Sequence, residues 1–202
     1  MTTSSTAAFD LDLGPATLRR TPPMLDAWLR TMPSTLLECD EGDGTWSPLV
    51  VLGHLIEGER HDWIPRVRHL LEHGEAVPFA PFDRFSQLRA PARSVAHLLD
   101  EFAACRAASL DALSALRLSA ADLDRRGRHP EFGAVTLGQH LATWVAHDFD
   151  HVVQIARTMA NTLRGPVGPW RAYLRVIRDA AAVADQRGVN NTAQTSTPSA
   201  QR

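Results

Sequence analysis

The stretch TLGQHLATWVAHDFDHVVQI, Thr136 to Ile155, decides how the rest of the chain is read. It opens with T-x-x-Q, a pattern in which a threonine and a glutamine can each accept from the other's backbone N–H at a helix start. Leu137, Leu141, Trp144, Val145, Val152, Ile155 and Met159 then recur at helical spacing. The spacing predicts a helix running to about Leu163, ended by Gly165-Pro166. His147 and His151 sit four residues apart on this helix, so their imidazoles share a face one turn apart and can converge on one ion. Both fall beside Trp144 and Ile155, at the edge of the apolar stripe. His140 lies two turns earlier on the same edge, as a supporting group or as surface.

Upstream, Ser47-Pro48 reads as a hydroxyl cap with proline in the first turn, starting a helix to His73 with Gly74 as its stop. An earlier helix starts near Thr21-Pro22-Pro23 and carries Met24, Leu25, Trp28, Leu29 and Met32. Another is expected over Ser94 to Leu118, with Leu98, Leu99, Phe102, Leu110 and Leu113. Between Glu75 and Pro91 runs a long proline-rich connection whose Phe79, Phe82 and Phe85 should pack onto the helices. A shorter fifth helix is expected from Pro169 to Ala184. No run alternates cleanly with period two, so the chain is expected to be all-α, a four-helix bundle with a crossover between the second and third helices. Residues 1–15 and the polar 187–202 read as loose ends around one domain, 16–186.

A metal site needs a third ligand. His54, in WSPLVVLGHLIEGE, lies in a turn that is apolar nearly all round. The later stripe of that helix, Ile56, Trp63, Val67 and Leu70, points away from it, so periodicity alone favours a capped or exposed His54 over a ligand. His147-Asp148-x-x-His151 also differs from the zincin H-E-x-x-H by its shorter acid and its lack of a further downstream ligand. Glu57, Asp148 and Asp150 stand near the proposed ligands and could orient a ring; solvated helix acids are the plainer reading. Arg60 could receive an anion but reads more simply as surface. No catalytic residue is assigned.

Composition narrows the function. A formal charge of −2, with 21 basic residues all arginine and scattered, offers no overall attraction for nucleic acid or anionic lipid. Nothing approaches a membrane span. The N-terminus lacks the basic and apolar regions of a secretory signal. Cys39 and Cys105 stand in no metal-binding spacing and suit a reducing compartment. A cytoplasmic protein is expected.

Three stretches together resemble the DinB-like superfamily: W-S-P-x-x-V-L-G-H-L (Trp46 to Leu55), the Thr136 to Ile155 run, and G-P-W-R-x-Y-L (Gly168 to Leu174). The resemblance covers roughly residues 18 to 180. It implies an up-down-down-up bundle and a divalent metal held by His54, His147 and His151 with an open coordination position. Zinc or nickel fits foremost, iron or manganese otherwise. It further implies a small-molecule substrate, with relatives that are transferases or isomerases using low-molecular-weight thiols such as bacillithiol or mycothiol, and a homodimer. The resemblance favours thiol S-transfer. A metal-dependent hydrolase and a non-catalytic metal-binding bundle of the stress response are the alternatives.

Overall fold

The computed structural model describes residues 9–42 and 44–177. Short helices α1 (Leu13–Leu18), α2 (Thr21–Leu29) and α3 (Ser34–Leu37) lead into α4 (Pro48–His61) and α5 (Trp63–His73). A long crossover then reaches α6 (Val95–Ala115). Strands β1 (Arg126–His129) and β2 (Gly133–Thr136) pair as an antiparallel hairpin before α7 (Leu137–Asn161), and α8 (Arg164–Val167) follows. The result is a four-helix bundle of α2, α4–α5, α6 and α7, with the long connection between its second and third members. No described helix is long and apolar enough to cross a membrane.

The caps sit where the sequence placed them. Ser47 accepts from the Val50 N–H at 3.4 Å and Ser94 from the His97 N–H at 3.2 Å. The Thr136–Gln139 box closes in both directions, at 2.8 and 3.1 Å. Gly74 ends α5 with φ +56°, a conformation that costs glycine little.

Three expectations need correcting. The helix expected over 48–73 is two helices, broken at Asp62. Pro65 explains the break: it has no N–H for the carbonyl of His61, and its ring crowds that carbonyl. Second, the chain contains a two-stranded sheet. Its strands are only four residues long and read RGRH and GAVT, too short and too mixed to show alternation. Third, the described part of the expected fifth helix is two short 3-10 helices, Gly168–Tyr173 and Arg175–Ile177, and Trp170 and Tyr173 lie exposed. The rest of that segment, like 187–202, lies outside the described residues. The crossover's aromatics also differ from one another: Phe79 is buried, Phe82 half-buried and Phe85 exposed.

The core has two apolar halves. Leu25, Leu52, Leu55, Phe102 and Ile155 anchor one; Trp63, Val67, Leu70, Leu137 and Trp144 anchor the other. Arg106 sits between them on α6 and is 1% exposed. All five of its N–H groups are used. Nε and Nη2 donate to Glu59 Oε1 on α4 (3.0 and 2.8 Å), and Nη1 and Nη2 donate to the two Asp148 oxygens on α7 (2.7 and 2.9 Å). Nη1 also donates to the Leu18 carbonyl at the end of α1 (2.8 Å). Trp144 Nε1 donates to the same Glu59 oxygen at 3.0 Å. Burial opposes the charge on Arg106, but the Asp148 and Glu59 carboxylates outweigh it and hold its pKa above the ordinary value. Burial likewise raises the Glu59 pKa, against the pull of Arg106.

Candidate metal centre

His54 comes from the middle of α4, where Val51 through Ile56 are all buried, and is itself 5% exposed. His147 and His151 come from the middle of α7. Nε2 of His147 lies 3.2 Å from Nε2 of His54 and 3.0 Å from Nε2 of His151. One ring nitrogen from each of the three lies within 4.8 Å of the other two. Nitrogens about 2.0–2.1 Å from a tetrahedral ion sit about 3.3 Å apart, so the spacing of this trio suits one divalent ion.

Hydrogen bonding points the same way. His151 Nδ1 donates to Gln154 Oε1 at 2.8 Å, which leaves a lone pair on its Nε2 when the ring is neutral. His147 Nε2 faces two imidazole nitrogens and could donate to only one of them. Electron pairs therefore crowd one point, and a cation there relieves the crowding. Burial keeps the rings neutral. It lowers His147 to about 2, aided by His151, His54 and Arg106, and lowers His54 to about 4, aided by His151 and opposed by a hydrogen bond to the Arg84 backbone. Burial lowers His151 too, opposed by Gln154 and the Asp150 and Asp148 carboxylates.

Aromatic rings wall this point. The Trp46 ring is 4.8 Å from His54 and stacks along His151 at 6.3 Å; Phe82 stands edge-on to His54 at 5.9 Å. Trp63 stands edge-on to His147 at 5.0 Å. The centre opens on a cleft of about 550 Å³ that runs along α7 to His140 and the tip of the hairpin.

Two of the three remaining acids are engaged elsewhere. Asp148 is 2% exposed and held by Arg106, so it is no solvated helix acid. Glu57 accepts from the Ser86 hydroxyl at 3.0 Å and lines a separate cavity of about 370 Å³. Asp150 is exposed. Arg60 is exposed and pairs with Glu101. His140 is buried, donating Nε2–H to the Trp63 carbonyl at 3.0 Å. The sequence reading passed over Arg106, although its place on the α6 stripe between Phe102 and Ser109 was a signal.

The DinB superfamily profile matches residues 17–155, more than half of the chain. The chain belongs to the DinB superfamily. Its fold is similar to that of YfiT from Bacillus subtilis, described as a probable metal-dependent hydrolase with an unusual four-helix bundle topology. The TM-score is 0.65 at 20% identity, over 81% of this chain and 93% of that one. No curated protein matches the chain by sequence.

Proposed function

We propose that this DinB-superfamily protein is a metal-dependent enzyme acting on a small molecule, with His54, His147 and His151 holding one divalent ion, zinc or nickel foremost. The observation that carries this reading is the convergence of three neutral imidazoles at the end of an open cleft. A divalent ion held there with an open position would lower the pKa of a bound thiol or water.

The side chains divide the remaining work. Gln154 orients His151, and Trp46 and Phe82 exclude water from one side of the centre. Among the acids near the ligands in sequence, Asp148 is tied to Arg106, Glu57 is bonded to Ser86 and Asp150 is exposed to solvent. A thiol, with a pKa near 8.5, needs far less help to ionise than water, at about 15.7. That favours thiol S-transfer to an electrophilic small molecule. Hydrolysis is the second reading, supported by the likeness in fold to YfiT.

The test is thiol consumption by metal-loaded protein, with bacillithiol, mycothiol and glutathione offered alongside electrophilic acceptors. Turnover with at least one thiol, lost in His147→Ala, is expected. Hydrolysis of an activated ester without thiol consumption would move the assignment to the second reading.

A further inference from the structure

The cleft does not end at the metal centre. It continues along α7 for two helical turns, about 10 Å by helical rise, to His140. Trp63 floors the interval, its ring 5.0 Å from His147 at one end and 5.6 Å from His140 at the other. Trp63 in turn stacks on Trp144 at 5.8 Å, which fixes the floor in place.

His140 is 8% exposed, yet it lines the cleft. A carbonyl oxygen only accepts, so its bond to Trp63 O puts the proton on Nε2. The neutral ring must then carry its lone pair on Nδ1. That atom has no hydrogen-bond partner among the described residues. It is a fixed acceptor on a residue that lines the cleft. Asp62 and Arg66 also line the cleft and pair with each other at 2.7 Å, and Glu131 lines it near the hairpin tip. The neutral Nδ1 offers a lone pair and no proton. It matches a hydrogen-bond donor, such as an amide N–H or a hydroxyl, and not a carboxylate.

We infer that the His140 end of the cleft is a recognition subsite for the non-reacting end of the substrate. His140 Nδ1 accepts a hydrogen bond from an amide or hydroxyl group about 10 Å from the reacting atom. His140 is thus a specificity residue outside the metal centre. The inference rests on the thiol-transfer reading above and adds to it the shape of the thiol: an extended molecule with a donor at its far end.

The test pairs a change in the protein with a change in the ligand. Gln at position 140 can keep a donor near the Nε2 position for the Trp63 carbonyl while removing the Nδ1 acceptor. In metal-loaded His140→Gln, KM for the extended thiol that turns over best is expected to rise about tenfold, with kcat and metal content unchanged. KM for cysteine, which is too short to reach the subsite, should stay as in the wild type. In the wild type, an analogue of the extended thiol whose amide N–H is replaced by an ester oxygen should lose the same factor, and should lose nothing further in His140→Gln. That ligand-side comparison stands even if the variant folds poorly. Equal KM for amide and ester in the wild type, or an equal effect of His140→Gln on cysteine, overturns the subsite and leaves thiol transfer standing. Absence of turnover with every thiol overturns both.

Discussion

Nε2 of His54 lies 3.2 Å from Nε2 of His147, across 93 residues of chain and between two different helices. Nothing local to either helix brings these rings together. The packing of α4 on α7 does so, and Arg106 pins both helices by binding Glu59 on one and Asp148 on the other. Asp148 adjoins His147 in sequence, so a disturbance of the pin is felt beside the proposed centre.

Metal removal should therefore cost stability. An ion that binds only the folded chain stabilises it by about 4 kcal/mol when present at a thousand times its Kd. Treatment with a chelator should lower the melting temperature of the wild type, and zinc should restore it. Equal melting curves with and without chelator would show that the trio makes no contribution through a metal.

The buried ion cluster should be fragile to loss of one partner. Asp148→Ala leaves a guanidinium half unpaired in a site where Arg106 is 1% exposed, and removal of one buried partner costs about 3–5 kcal/mol. Urea denaturation of Asp148→Ala should show that loss, whereas exposed Asp150→Ala should stay within about 0.5 kcal/mol of the wild type. Indistinguishable midpoints for the two variants would remove the cluster from the account.

Acid should destabilise metal-free protein by a specific route. Burial lowers His54 and His140 to about 4 and His147 to about 2, whereas an unfolded histidine titrates near 6.5. Below 6.5 the unfolded chain takes up protons that the folded chain refuses, so stability is lost as pH falls from 6.5 toward 4. For His140 alone the loss is on the order of 3 kcal/mol. Glu59 and Asp62, whose pKa values burial raises, work the other way and temper the loss at its acid end. Urea midpoints of chelator-treated protein should fall between pH 7 and pH 5; a flat profile over that interval would contradict the burial of these rings.

The hairpin should tolerate no side chain at Gly127. A Cβ there would stand 2.9 Å from the Phe79 ring and 3.0 Å from Leu70, both buried. Gly127→Ala should cost about 1–3 kcal/mol by overpacking. Calorimetry showing no change in melting temperature would mean that the crossover is not clamped on β1.

Much of the fold was legible because α7 states its own start and face: the cap and the stripe agree, although the helix ends at Asn161 and the Gly165-Pro166 expected to close it lies within α8. The proposed centre was half legible. His147 and His151 are adjacent on one helix, so spacing alone brings them together. His54 was misplaced by periodicity because a single continuous helix was assumed across Asp62. Pro65 breaks that helix, so the direction of the Trp63, Val67 and Leu70 stripe says nothing about the face on which His54 lies. The hairpin was missed because four-residue strands carry too few residues to show a period. Asp148 was misread because its partner, Arg106, lies 42 residues away on another helix.

The central claim is that three imidazoles from α4 and α7 bind one metal ion. Elemental analysis of tag-free protein, with His54→Ala and His147→Ala beside it, tests this most directly. One equivalent of a divalent metal in the wild type and its loss in both variants is the predicted result. Retention of the metal in His54→Ala, or no metal in the wild type even after dialysis against zinc or nickel, would contradict it.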